Sequence, residues 1–465
     1  MIASTPSESS FSTSHEVYEW ISGFTNLERG QVIKNLSLDR VAALAKIAGH
    51  PEKHAPALHV AGSKGKGSVT GMMAAVLEAS GRKTARYASP HVNDFRERIT
   101  MGRRFFDEDI YARAGSELRR IVESVPSSPD AKLFDPRFEN GEPASFFELA
   151  TLWFFLCARL ARCDIMSVET GMGGRLDATN ILDPLVSVIT IIELEHTEYL
   201  GTTIAAIAGE KAGIIKPERP LILAKQRDEA LQVFREHAER KKSPLLYFPD
   251  HAEISDIRLD REGVHFNLDL KGETFRDLLV PIPGEVQAYN AGLAIMALKT
   301  AFPGVSEKSV REGLANFTLP ARFERISTAP VVIVDGAHTP SSVGMCVDSF
   351  AGLYGEGAIL IFGCAEGKDF LSMANICAPR FSRIIITTPG TFKKSNPGNV
   401  YAAFAGEAEK LNRGTSVLFI PDTAEAIDTA ARLALETELA ILGTGSFYLA
   451  GEIRGRLGKP APEGK

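Results

Sequence analysis

The sequence predicts an α/β protein: an N-terminal domain in which a phosphate-binding loop (P-loop) sits on a mostly parallel sheet, and a smaller, doubly wound, Rossmann-like C-terminal domain. Three observations predict it. Short β-branched runs alternate with helix-length stretches, the pattern of strands joined by helical crossovers. A glycine-rich segment lies between one such run and a helical stretch. Near Pro320 the alternation restarts, with enough further runs for one open doubly wound unit. At roughly 150 residues per domain, a chain of 465 residues accommodates two large domains. We divide it into 1–315, a hinge over 316–324, and 325–465.

Taken in order, residues 1–14 (MIASTPSESSFSTS) are Ser/Thr-rich, without the basic start or apolar core of a secretory leader. They are expected to fray, as is the tail Lys459–Lys465. Strands are expected at Leu58–Ala61, Ile165–Val168 and Val186–Ile192, and helices at Val69–Ala79 and Phe147–Leu160. The apolar run ending at Leu160 is about half a membrane span and is interrupted by Arg159. Asp250–Leu279 alternates polar and apolar residues and is expected to form a small antiparallel addition to the first domain. The second domain is expected to carry five strands: Val331–Val334, Ile359–Phe362, Ile384–Thr387, Val417–Ile420 and Leu439–Leu442.

Hydrophobic residues make up 44% of the chain and charged residues 24%, enough for real cores. The net charge of −6 argues against a general affinity for nucleic acid or anionic membrane. The five cysteines are odd in number and no two are spaced C-x-x-C. That excludes a disulfide scaffold and a structural zinc site and fits a reducing compartment. A monomeric, soluble, cytoplasmic protein is expected.

The strongest chemical signal is HVAGSKGKGS at His59–Ser68. Backbone N–H groups converging at a helix N-terminus hold a phosphate well, and a lysine adds fixed positive charge. Gly62, Gly65 and Gly67 permit the tight turn; Lys66 is expected on the phosphates, and Ser68 to cap the helix or touch magnesium. The strict G-x-x-x-x-G-K-[ST] pattern is not met, because Val60 occupies the first glycine position and Gly67 follows the lysine. Two other glycine-rich stretches, Gly171–Leu176 and Gly443–Tyr448, fail the dinucleotide fingerprint at their last positions. Glu169 and His196 each follow an apolar run, and strand C-terminal ends form the ligand crevice of an open parallel sheet. Taken singly, each such residue is more often a cap or a solvated residue than a ligand.

The full order of motifs resembles the folylpolyglutamate synthase/dihydrofolate synthase family, within the Mur-type ATP-dependent ligases. The resemblance runs from FTNLERG (Phe24–Gly30) and HVAGSKGKGS through SPHVNDFRERI (Ser89–Ile99), SFFELAT (Ser145–Thr151), VETGMGGRLDATN (Val168–Asn180) and EHTEYLG (Glu195–Gly201). It continues with EKAGIIKP (Glu210–Pro217), QAYNA (Gln287–Ala291), ARFE (Ala321–Glu324), DGAHTP (Asp335–Pro340) and GTGSFYLAGE (Gly443–Glu452).

The resemblance implies ATP-dependent ligation of L-glutamate to a folate or pteroate carboxylate, with magnesium. It implies that Gly62, Ser63, Lys64, Gly65, Lys66, Gly67 and Ser68 form the triphosphate loop. Ser89, Glu169 and His196 are implied as magnesium ligands, Lys211 as a carbamylated lysine serving a second magnesium, and Asn290 as an adenine contact. Arg322 is implied to reach the ATP phosphates from the hinge, and Asp335 and His338 to serve the nucleotide and glutamate side. The plain alternatives are a surface ion pair for Lys211 and a helix cap for Asn290.

The chain departs from the family at Ser63-Lys64 (usually T-N), Glu195 (Asp), Val286 (His), Ala321 (Gly), Thr339 (Asn) and the turn Glu366-Gly367-Lys368-Asp369. None of these is a principal implied ligand. A Mur-type ligase for a cell-wall precursor would share the nucleotide chemistry, but the SPH loop and FTNLERG favour the folate branch. A nucleotide switch should offer an N-K-x-D motif, which is absent.

Overall fold

The structure is a computed structural model and describes residues 10–458 apart from 30, 34–35, 139–140 and 391–393. Gly30 of FTNLERG and most of both tails therefore lie outside the described residues.

The first sheet contains β1 (Ala57–Ala61), β2 (Thr84–Tyr87), β3 (Ile99–Met101), β4 (Arg104–Phe105), β5 (Ile165–Glu169), β6 (Val186–Ile189), β7 (Leu221–Leu223) and β8 (Leu245–Tyr247). Their order is β4-β3-β2-β5-β1-β6-β7-β8. All neighbours from β2 to β8 pair in parallel, and only the β2–β3 and β3–β4 pairs are antiparallel. β1, β5 and β6 are buried along their whole length, as apolar strands covered on both faces must be. The helix Lys66–Ala79 covers one face and packs on the helices Glu285–Ala301 and Glu307–Ala315. The apolar helix Phe146–Leu160 builds a second core. Among the described residues no helix is long and apolar enough to cross a membrane.

A three-stranded antiparallel sheet follows, β9 (Ala252–Leu259), β10 (Val264–Leu270) and β11 (Glu273–Val280), in the order β11-β10-β9. Its buried residues Phe266, Leu268, Phe275 and Leu278 join the core around the helix Glu285–Ala301.

The last sheet comprises β12 (Glu324–Thr328), β13 (Val331–Val334), β14 (Ala358–Phe362), β15 (Phe381–Ile386), β16 (Ser416–Phe419) and β17 (Ile441–Thr444), in the order β12-β13-β17-β14-β15-β16. The five strands expected from sequence form the parallel part, with ends shifted by up to three residues. β12 is an addition: it pairs antiparallel with β13 at the sheet's edge. Its half-buried residues ERIST carry too weak an alternation to be read as a strand.

Two boundaries differ in ways that matter for function. The glycine-rich loop yields to helix at Lys66, not Ser68, so Lys66 is the first helical residue. The run expected as Val186–Ile192 stops as a strand at Ile189. Its last residues turn to serve the loop beside them, where the Ile191 carbonyl accepts the Ser63 N–H at 2.9 Å.

Candidate active site

The loop after β1 is shaped by what surrounds it. Gly65 is the helix N-cap, with φ +88°, a left-handed conformation that glycine adopts without steric cost. A Cβ there would stand 2.6 Å from Asn290 Oδ1. Gly62 packs equally closely on Thr190. Ser68 lies within the first helical turn, so the cap role expected for it belongs to Gly65.

Two lysines meet at one carbonyl. Lys66 Nζ donates to Gly62 O at 2.8 Å, and Lys211 Nζ donates to the same oxygen at 2.9 Å. Lys211 also donates to Glu195 Oε1 at 2.7 Å. It is only 1% exposed, so the surface ion pair is ruled out, although an acid partner is present. Burial, with Lys66 close by, lowers its pKa to about 8, against the pull of Glu195. His196 adjoins this group in a left-handed conformation (φ +45°); burial and the neighbouring lysines lower its pKa, while Glu195 opposes them.

Glu169 ends β5 and lies against the loop: a Cβ on Gly67 would stand 3.3 Å from Glu169 Oε2. Burial raises its pKa, opposed by Lys66, Arg86 and Arg322 and by the Ser89 N–H, which donates to it. The Glu169 carboxylate thus lies against the backbone of Ser89, the residue whose hydroxyl the resemblance implies as a second ligand. Such hard oxygen donors suit magnesium, which binds through one or two carboxylates plus substrate phosphates while keeping several waters. Among the described residues no three His, Cys, Asp or Glu side chains converge as a ready cage, in keeping with that preference. Glu169 and His196 do not form one such cluster.

The C-terminal sheet brings its own set. Asp335, just after β13, accepts N–H groups from Phe323 at 2.8 Å and Ala337 at 2.7 Å. His338 Nδ1 lies 2.9 Å from the Gly336 carbonyl, so Nδ1 carries the proton and Nε2 is left as an acceptor. Burial pulls the His338 pKa down to about 4, opposed by that bond and aided by Lys368, Lys64 and Arg322. Lys64 belongs to the phosphate loop, so the two sheets contribute to one charged cleft. Arg322 lies over the Phe447 ring at 4.4 Å and acts on both Asp335 and Glu169. Asn290 is buried mid-helix, its amide donating to Gln287 Oε1 at 3.1 Å, and so is not a cap.

Sequence reading missed two groups. Arg86, on β2, acts on Glu169, yet TARY carries no signal beyond an ordinary polar position in a strand. A buried relay also supports the segment after β5. His59 Nε2 lies 2.8 Å from Thr179 Oγ1, which donates to Asp177. Asp177 in turn accepts the Met172 N–H at 2.9 Å. Since the Thr179 proton goes to Asp177, His59 donates through Nε2; burial, aided by Lys216, keeps the ring neutral with a pKa of about 3. The same segment is anchored near Lys211: the Arg175 N–H donates to Glu210 O at 2.7 Å, and Asn180 Nδ2 to Gly213 O at 3.1 Å.

Comparisons with known proteins show what the chain is similar to. Residues 148–298 match the Mur ligase middle domain, and residues 321–447 match the Mur ligase, glutamate ligase domain. The chain is 31% identical to a folylpolyglutamate synthase of Lacticaseibacillus casei over 89% of its length and 93% of the relative's. It is 30% identical to a dihydrofolate synthase/folylpolyglutamate synthase of Mycobacterium tuberculosis, over 91% and 90%. Among solved structures, a folylpolyglutamate synthase of Thermotoga maritima superposes with a TM-score of 0.82 at 30% identity, covering 96% of each chain. The Mycobacterium tuberculosis folylpolyglutamate synthase complexed with ADP and AMPPCP gives 0.81 at 29%, covering 92% of this chain and 96% of that one.

Proposed function

The chain belongs to the folylpolyglutamate synthase/dihydrofolate synthase family, and from that premise we propose that it joins L-glutamate to a folate-type carboxylate while splitting ATP to ADP and phosphate. One observation carries the reading furthest. The buried Glu169 is acted on both by Lys66 of the phosphate loop and by Arg322 beyond the first sheet, so cations from both parts of the chain converge on one carboxylate beside the loop. Our division at 316–324 makes the cleft there a domain junction, completed when the two parts close.

A carboxylate is a poor acylating agent. Its oxygen attacks the γ-phosphorus, the bond to the bridging oxygen breaks, and ADP leaves with the electron pair. The glutamate amine then adds to the acyl phosphate carbonyl, and phosphate departs as the amide forms. The protein's task is positioning and charge neutralisation. Loop N–H groups and Lys66 hold the triphosphate, Asn290, which lies against Gly65, is read as the adenine contact, and Arg322 supplies charge from the far wall. Magnesium, held by Glu169 and Ser89, would neutralise phosphate charge. His338, neutral above about pH 4, is too weak a base to deprotonate an ammonium and offers Nε2 as a hydrogen-bond acceptor on the glutamate side.

The deciding measurement is product analysis with ATP, L-glutamate and either dihydropteroate or tetrahydrofolate. ADP should form only when an acceptor is present, matched by a product one glutamate longer. ADP released equally fast without acceptor, or ligation only to a cell-wall precursor, would overturn the reading. A second test addresses Glu169. Glu169→Gln removes the charge while keeping the shape, and should raise the magnesium concentration for half-maximal turnover about tenfold, roughly 1.4 kcal/mol. Glu236→Gln, on the exposed face of the helix Asp228–Lys241, should leave it unchanged. Equal magnesium dependence in the two variants would remove Glu169 from the metal site.

A further inference from the structure

Arg86 has no part in the chemistry described so far. It lies on β2, paired in register with Ser167 of β5 on one side and Thr100 of β3 on the other. Ser167 Oγ donates to the Thr70 carbonyl of the phosphate-loop helix, so Ser167 faces that helix. Side chains alternate along a strand and paired neighbours share a face. Arg86 therefore lies on the same side of the sheet as Ser167 and Glu169, the side that the helix Lys66–Ala79 covers.

Its surroundings do not satisfy it. Arg86 Nε is buried with no hydrogen-bond partner, an arrangement that is costly for a cation without a fixed counter-charge. The carboxylates acting on it are Glu169 and Glu97, and both are committed elsewhere. Glu97 accepts the Val92 N–H at 2.6 Å and faces Arg454 at 3.6 Å. Glu169 is shared with Lys66 and Arg322. Three cations around one shared carboxylate leave an excess of positive charge fit for a multiply charged anion.

Position narrows the choice of anion. Glu169, on β5, lies between the phosphate loop of β1 and Arg86 of β2. Neighbouring strands are about 4.8 Å apart, so β1, which leads to Lys66, and β2, which carries Arg86, each flank β5 at one spacing and lie about two spacings from each other. A phosphoryl group leaving ADP for an acceptor moves away from the loop, and Arg86 stands across β5 from that loop. A guanidinium offers paired donors matching phosphate oxygens.

We propose that Arg86 is an anion-binding residue that grips the phosphoryl group after it has left ADP, first on the acyl phosphate and then as inorganic phosphate. The identity of the anion rests on the ligase reading, so the test is one of equilibrium binding. Inorganic phosphate is titrated calorimetrically into protein saturated with magnesium and ADP, comparing the wild type with Arg86→Leu and Arg86→Lys. Phosphate affinity should fall at least about tenfold in Arg86→Leu and several-fold in Arg86→Lys, which keeps the charge but loses the fork, with ADP affinity held within about twofold. Unchanged phosphate affinity, an equal loss of ADP affinity, or no phosphate binding by the wild type would overturn the proposal. Should Arg86→Leu not fold, Arg86→Lys decides by the same criteria. Acceptor-dependent ADP release by the wild type is scored separately. Its failure alongside Arg86-dependent phosphate binding would reject the ligase reading and leave the anion site standing.

Discussion

Lys66→Ala is expected to lower kcat/KM about a thousandfold while leaving the fold intact. Lys66 is the first residue of a helix, and its ammonium is held near the loop by the Gly62 carbonyl. A unit charge pair at 4 Å is worth about 4 kcal/mol at an effective dielectric of about 20, or close to three orders of magnitude. The triphosphate carries several such charges, whereas among the described residues the side chain's one hydrogen bond is to Gly62 O. Alanine is a good helix former, so the melting temperature should shift little. ADP release under saturating acceptor, read beside a thermal melt, tests both parts. Wild-type turnover would remove Lys66 from the phosphate site; unfolding would give it a structural role instead.

The phosphate loop was legible because its signal is local. Glycines and a lysine between an apolar run and a helix have few other uses, and the structure sets them in a left-handed helix N-terminus. Glu169 was legible as a strand-end residue, since position at a sheet's C-terminal edge is a topological fact that sequence order nearly dictates; His196 instead lies well past the end of β6 and caps the short helix Thr197–Leu200. Several other features were not. Ser68 was assigned a cap because Ser is a common cap, but the left-handed Gly65 ends the loop three residues earlier. The nearness of Lys64 to His338 depends on how two sheets pack, which no periodicity encodes. Arg86 and His59 each occupy one position of a short strand, where a polar residue in an apolar run carries no hint of its partner. The burial of Lys211 was hidden likewise: EKAGIIKP has the look of an exposed helix end, and only docking against the Arg175–Asn180 segment encloses it.

Enclosure is what makes Lys211 the second large effect. Carbamylation adds carbon dioxide to a neutral amine and releases a proton. An ordinary lysine, with a pKa of 10.5, is neutral in about one molecule in three thousand at pH 7; at a pKa of about 8 the fraction is about one in ten. The carbamate is anionic and would face Glu195, now 2.7 Å from the ammonium, so the two acids would need a cation between them, the place for a second magnesium. Lys211→Ala should therefore lower turnover about a hundredfold or more, while ATP binding through Gly62–Ser68 largely survives. Lys211→Arg should not rescue, because a guanidinium stays cationic and forms no carbamate. Acetate or propionate should partly restore the alanine variant by placing a carboxylate where the carbamate stood. The wild type should gain activity from bicarbonate below about pH 8, where the amine is mostly protonated, and gain little above it. Steady-state ADP release across pH 6.5–9 with and without bicarbonate, on all three proteins, is the measurement. Full activity in Lys211→Arg would mean that positive charge suffices, and Lys211 would then act as a buried cation bridging Gly62 and Glu195.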